Sequence, residues 1–304
     1  MSRRRDLEKR LQALEDIGKI MGSMKNLSYM ETRKLARFID SQRRVVAGIE
    51  TAAQDFLAHH PGLRVASRGG GTLYLLIGAE RGFCGNFNDA VLDQLKRSLD
   101  PAGTGHHVLV AVGTRLATTL EANPQFADGL RGASAAEEVP TVLGQLVQTL
   151  GRITRERGLP SLVVIHWDVE TEEVREVSLL PPFRDSPQAP APAHPFPPRL
   201  NLAPETVLAA LIEQYLFAAL HALLYSSLMA EHQQRVRHLE GALERVDNRV
   251  RELGQQRNLL RQEEITEEIE LMLLNLTDPG RPAADDSAIH AGPAINPSPR
   301  LAPP

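Results

Sequence analysis

Cysteine is all but missing: Cys84 is the only one in 304 residues. No disulfide can form within the chain, and a cysteine-based zinc site is excluded. Aromatic residues are scarce, at 4%, which is little for one large globular core. No segment offers the ~18 consecutive apolar residues of a membrane-spanning helix. The start is basic, Ser2-Arg3-Arg4-Arg5, but Asp6, Glu8, Lys9 and Arg10 follow at once. That leaves no apolar core for a secretory signal, and the acids argue against a transit peptide. An intracellular, bacterial protein is the expectation. Charge is not extreme either. A net charge of -4 with 24% charged residues implies neither nucleic acid nor lipid as a partner.

What the chain does have is two long amphipathic ends. From about Pro204 to Asn275 the sequence reads as one helix. Within it Val236, Leu239, Leu243, Val246, Val250 and Leu253 step by 3, 4, 3, 4 and 3, which is a heptad seam. At ~1.5 Å per residue, roughly 70 residues of helix are on the order of 100 Å long, so part of it must project and meet another surface. Residues 3–58 read as a second long helix, with Leu7, Leu11, Leu14, Ile17, Met21 and Met24 on one face. His59-His60-Pro61-Gly62 ends it. Gly18, Gly22 and Gly48 each weaken this helix by about 1 kcal/mol relative to alanine. Gly18, Gly22 and Ser23 would let another helix approach closely. Near the far end of the C-terminal helix, Leu271, Met272, Leu273, Leu274 and Leu276 are too apolar for a tip in water. They predict a sheath of other protein.

Between the helices, apolar runs bounded by glycine predict strands at 72–78, 107–113 and 162–167, with 174–180 returning as a hairpin. Helices are expected from Asn88, as cap, to about Leu99, over 114–122, and over 139–157. Gly158-Leu159-Pro160 stops the last. This alternation argues a mostly parallel sheet with helices on its faces. Pro181 to Pro204 is rich in Pro and Ala and reads as a stiff connector. The expected divisions are a coiled-coil helix over 1–60, an α/β domain over 70–182, a linker over 183–203, a second coiled-coil helix over 204–276 and a disordered tail over 277–304.

Such a middle domain has the outline of a nucleotide-binding fold. Yet Gly69-Gly70-Gly71 precedes a strand, whereas a phosphate-cradling loop follows one. The segment Gly78 to Gly85 does follow a strand, but it lacks the Lys-Ser/Thr pair and is not G-x-G-x-x-G. A fixed turn packing the domain against the rod fits it better, with Arg81, Gly82, Cys84, Gly85 and Asn88 as its residues. Cys84 has no base nearby in sequence and reads as a small buried residue. The pairs His59-His60 and His106-His107 read as solvated loop residues, and His166-Trp167-Asp168 as packing. No catalytic residue, cofactor site or metal site is expected.

Three patches in order carry a family resemblance. Ile17-Gly18-Lys19-Ile20-Met21-Gly22-Ser23-Met24-Lys25 is close to I-x-K-I-T-x-A-M-x, with Arg33-Lys34-Leu35 downstream. Glu80-Arg81-Gly82-Phe83-Cys84-Gly85-Asn86-Phe87-Asn88 is like D-R-G-L-C-G-G-L-N. Arg261-Gln262-Glu263-Glu264-Ile265-Thr266-Glu267-Glu268-Ile269 is like R-Q-x-x-I-T-x-E-(I/L). Over about residues 3 to 276 the chain resembles the gamma subunit of F-type ATP synthases, the central rotor shaft. Its departures, such as Asn26-Leu27-Ser28-Tyr29 in place of M-V-A-A, resemble a variant synthase of the alternate sodium-type bacterial branch.

The resemblance implies an antiparallel coiled coil of the N- and C-terminal helices with an inserted, mostly parallel, Rossmann-like α/β domain. It implies torque transmission between a membrane ion-driven ring and a catalytic hexamer, by a subunit that is not itself an enzyme. Implied partners are the alpha and beta subunits, the epsilon subunit and the membrane c-ring, with no nucleic acid and no direct membrane insertion. The implied place is the cytoplasmic side of a bacterial inner membrane, held peripherally. Met24 and Lys25 would meet one beta contact, and Arg261, Gln262 and Thr266 a loop of another beta subunit. A coiled-coil adaptor without rotation also explains the seam, but not three collinear patches. An α/β enzyme with helical arms lacks both a phosphate loop and a triad.

Overall fold

A computed structural model describes residues 2–63, 70–99, 106–183 and 196–277. The first helix, α1 (Ser2–His59), and the last, α5 (Pro204–Thr277), enclose the other elements in sequence. Between them come β1 (Thr72–Ile77), α2 (Phe87–Ser98), β2 (His107–Val112), α3 (Thr114–Leu120), β3 (Phe126–Leu130), α4 (Val139–Arg157), β4 (Ser161–Asp168) and β5 (Glu173–Leu180). The chain forms two units: Leu11–Arg251, and Met1–Arg10 with Glu252–Pro304. The tail over 278–304 and residues 184–195 of the connector lie outside the described residues.

The larger unit holds one sheet in the order β3-β2-β1-β4-β5. β1 runs parallel to β2 and β4, with Thr72 opposite both His107 and Ser161. β3 is parallel to β2, and β5 returns antiparallel on β4. Strand side chains alternate between faces, so each strand feeds two cores. Leu73, Leu75, Ile77, Val108, Val110, Val112, Leu162 and Val164 pack on α4, on α5 and on Leu35 and Ile39 of α1. Leu76, Leu109, Ala111, Ile165 and Trp167 pack on α2 and α3 instead. Fully burying one such Leu, Ile or Val contributes roughly 1.5–3 kcal/mol. α4 spans the predicted residues and ends where Gly158 takes the left-handed conformation, φ 62°, and donates its N–H to the Thr154 carbonyl at 2.9 Å.

α1 and α5 pair within this unit. A Cβ on Gly18 would lie 3.6 Å from Val246 Cγ1. Lys25 Nζ is 3.7 Å from Glu240 Oε1. The rings of Phe38 and Tyr225 stack at 5.3 Å. As the α1 number rises, the α5 number falls, so the helices are antiparallel. Leu11, Met21 and Leu239 are buried, and Leu14, Leu243 and Val246 are half-buried. α5 contains one 18-residue stretch of mean hydropathy 1.8, enough by length and composition to cross a membrane, and a third of it is buried within the chain. In the smaller unit Arg4 Nη1 pairs with Glu264 Oε2 at 3.0 Å, Leu253 is buried and Leu7 is half-buried.

Four expectations need correction. β3 was not expected: Phe126-Ala127-Asp128-Gly129-Leu130 is short and carries Asp and Gly, poor strand formers, yet it pairs along the open edge of β2. Asn88 does not cap α2, whose cap position is Asn86 with no side-chain bond. His59, His60 and His107 are half-buried rather than solvated, and the His60 ring lies 4.7 Å from that of Phe56. Finally, a Cβ on Gly22 would meet nothing within 4 Å, and one on Gly18 would make only an ordinary contact, so α5 does not need these glycines in order to pack.

Candidate functional site

The segment after β1 is fixed by groups from three directions. Gly78 continues the sheet by donating its N–H to Val112 at 2.8 Å. A Cβ at Gly78 would stand 2.6 Å from Leu116 Cβ, and one at Gly113 (φ 110°) 2.8 Å from the Gly78 carbonyl oxygen. Both positions therefore need glycine. Asn88, freed from capping, turns back and accepts the Ala79 N–H at 2.8 Å. Glu80 joins this turn to its neighbours. Its carboxylate accepts the N–H of Thr114 at 2.9 Å, the Thr114 hydroxyl, and the N–H of Gly132 at 2.8 Å. Burial pushes the Glu80 carboxyl up, but these donors and the nearby Arg131 outweigh it and hold it below its ordinary value.

The third direction is α5. Leu224, Leu228, Glu231, Arg235 and Leu239 are all buried and step by 4, 3, 4 and 4. Two charges thus sit on the stripe that should be apolar. Glu231 accepts the N–H of Glu80 at 3.1 Å and, more weakly, that of Arg81 at 3.4 Å. Arg235 pairs with Glu231 and donates Nε to the Gly82 carbonyl at 3.1 Å and Nη2 to Cys84 Sγ at 3.2 Å. Arg235 Nη1 lies 3.1 Å from His232 Nδ1. Glu231 is 3% exposed and Arg235 4%. Burial pushes the Glu231 carboxyl up, and Arg235 with the two N–H groups pulls it back. Burial, helped by the Glu231 charge, pushes the Cys84 thiol up to about 12. Burial and then the Arg235 charge lower His232 to about 4.

This arrangement bears on chemistry. A phosphate-binding turn presents free backbone N–H groups. Here two of those after β1 are already bonded to a carboxylate of the same chain. A thiol so buried and so basic is a poor nucleophile. Phe83, at φ 65°, is held on the outside of the turn and is exposed. On the far side of the sheet Trp167 Nε1 donates to the Phe87 carbonyl at 2.9 Å and the two rings stack at 5.2 Å. Glu231, His232 and Arg235 do not stand out in the sequence. Their one signal there is the placement of i, i+4 charges on the buried stripe.

The other predicted site residues fall in two places. In the larger unit, Met24 is half-buried and Lys25 is engaged with Glu240. Around them Ile17, Ile20, Leu27, Tyr29 and Met30 are exposed, Met30 at 67%. In the smaller unit, Arg261, Gln262 and Thr266 are exposed along α5, and the Thr266 hydroxyl donates to the Gln262 carbonyl at 2.9 Å. Beyond them Ile269 and Leu271 to Leu274 are exposed, while the Leu276 side chain lies outside the described residues.

Known proteins share this architecture. The protein family described as ATP synthase matches residues 3–271. The ATP synthase gamma chain of Ruminococcus albus is 22% identical over 292 residues, covering 91% of this chain and 99% of the relative. That of Clostridium beijerinckii is 24% identical, covering 87% of this chain and 94% of the relative. Among solved structures, the rotor of the Euglena gracilis mitochondrial ATP synthase superposes with a TM-score of 0.60 at 13% identity, over 87% of this chain and 99% of its own. With the match running through both long helices and the sheet between them, the chain belongs to the ATP synthase family and aligns with its gamma chains.

Proposed function

We propose that this chain is the non-catalytic central-stalk rotor of a bacterial rotary ATP synthase, passing torque between a membrane ion-driven c-ring and the alpha/beta catalytic hexamer. The observation that carries this reading is the antiparallel pairing of α1 with α5 in a chain that leaves Ile17, Ile20, Leu27 and Met30 of α1 exposed. A helix pair of this kind has apolar surface left over for a surrounding bearing. A shaft needs stiffness rather than a nucleophile, and the bonded turn after β1 and the inert Cys84 are consistent with that. In this reading Met24 and Lys25 face one beta subunit, and Arg261, Gln262 and Thr266 a loop of another. Arg81, Gly82, Cys84, Gly85 and Asn88 form the turn that packs the domain on the rod. The epsilon subunit joins the stalk, and the assembly sits peripherally on the cytoplasmic side of the inner membrane.

Co-purification from the native cell tests the reading. A rotor is recovered at one copy per three alpha and three beta subunits; recovery without them, as for an adaptor, overturns it. The beta contact is tested by Arg261→Ala with Gln262→Ala. Arginine can form a two-pronged bond to a carboxylate, and losing a bond to a charged group removes roughly 1.5–3 kcal/mol. The double variant should change ATP turnover of the assembled complex while the free chain melts as the parent does. Unchanged hydrolysis and ion pumping at equal assembly would remove these residues from the contact.

A further inference from the structure

The sheet is joined to the helices through residues 60–71 and 181–203. The only regular element there, among the described residues, is the single turn Pro61–Leu63. Among the described residues no helix or strand continues from the sheet into α5, so the contacts that couple them there are non-covalent. Most of these are apolar, such as Leu224 and Leu228 against the sheet. Apolar contact is non-directional, so it resists separation better than it resists sliding or twisting. The directional contacts include the exposed Arg237–Glu172 pair at 2.8 Å, the Ser226 hydroxyl accepting the Val169 N–H at 3.3 Å and, buried and richest in bonds, the group built by Glu231 and Arg235. One helical turn of α5 there makes bonds to Glu80, Arg81, Gly82 and Cys84, all in the single turn after β1. These bonds involve ionised groups, have fixed directions and are shielded from water.

Stability alone does not explain the pair, because a buried ion pair is commonly matched or bettered by apolar residues of similar volume. What it adds is orientation. We propose that Glu231 and Arg235 are positioning residues for torque transfer: they lock the rotational register of the turn Glu80 to Cys84 on α5, so that the α/β domain and the rod turn together without slip. His232 holds the Arg235 fork from behind. The inference rests on the rotor reading.

The test uses the complete synthase in closed vesicles, with Arg235→Met, Arg235→Lys, Glu231→Gln and Leu228→Ala each compared with the parent at equal assembly. The readout is ions pumped per ATP hydrolysed. Arg235→Met is expected to lower this ratio several-fold. Arg235→Lys, which keeps the charge but not the fork, should lower it less, and Glu231→Gln should fall between parent and Arg235→Met. Leu228→Ala weakens the same junction without removing a directional bond; it should lower the melting temperature and leave the ratio alone. An unchanged ratio in Arg235→Lys and Glu231→Gln overturns the inference even where Arg235→Met fails to assemble. A fall in Leu228→Ala as large as in Arg235→Met overturns it too, since direction would then be irrelevant. If the parent itself does not assemble or pump, the rotor reading fails and this inference with it. A parent that pumps with variants that match it defeats the inference alone.

Discussion

Replacing Gly18 and Gly22 by alanine separates two reasons for having small residues on a shaft. If they served only the pairing of α1 with α5, added methyl groups would push the helices apart. The geometry says otherwise. A Cβ on Gly18 would meet Val246 Cγ1 at 3.6 Å, an ordinary contact distance, and one on Gly22 would meet nothing within 4 Å. The remaining effect is on the helix itself, where alanine is favoured over glycine by about 1 kcal/mol per site. The propensity gain is a per-residue term, so the two replacements together should contribute up to ~2 kcal/mol. For a unit the size of Leu11–Arg251, that raises the melting temperature by about 4–8 °C. Circular dichroism melts of the free chain measure this. A lower melting temperature would refute the reasoning, because it would mean that α5 crowds these positions after all. In the assembled complex the sign should reverse. If the glycines leave room for a bearing surface, the stabilised double variant should turn over ATP more slowly than the parent.

Other outcomes follow from the buried charges. His232 is lowered to about 4 by burial and the Arg235 charge, against about 6.5 when unfolded. Between those values the unfolded chain binds a proton that the folded chain refuses, so stability is complete above about pH 6.5 and falls by ~3 kcal/mol as pH drops to about 4. Denaturant melts across that range should show the loss, and His232→Gln should flatten it; an equal slope in the variant would mean that other groups carry it. Cys84, pushed up to about 12, should react with a thiol reagent at least about a thousandfold more slowly in the folded than in the unfolded chain at mild alkaline pH. Rapid labelling of the folded chain would show that the turn opens readily.

Much of the fold was legible because it rests on periodicity. The heptad steps from Val236 to Leu253, the apolar runs of β1, β2 and β4, and the stop at Gly158 are local signals that survive in the structure. β3 was not legible, because Phe126 to Leu130 gains its strand conformation from the open edge of β2 rather than from its own residues. Asn88 misleads for a related reason. A cap and a cross-link both need a short polar side chain beside a helix start, and only the tertiary position of Ala79 decides between them.

The buried charge group marks the deeper limit of what the sequence pattern reveals. Read alone, Glu231 and Arg235 are an ordinary i, i+4 pair of the kind that decorates solvated helices. What gives them away is their phase: they continue the stripe of Leu224, Leu228 and Leu239. A stripe that stays apolar buries a helix, and a stripe interrupted by opposite charges buries it in one orientation. The interruption costs desolvation, which the N–H groups of Glu80 and Arg81 and the Gly82 carbonyl offset by satisfying both ions. Gly78 and Gly113 let the start of the turn after β1 pack closely on Leu116 and on the backbone at residue 113, and the N–H groups of Glu80 and Arg81 that follow bond to α5. In the sequence the glycine-rich turn and the charged helix stand 150 residues apart and carry unrelated signals. Only their meeting in the fold shows that the backbone N–H groups a phosphate loop would leave free are here bonded to Glu231 of α5.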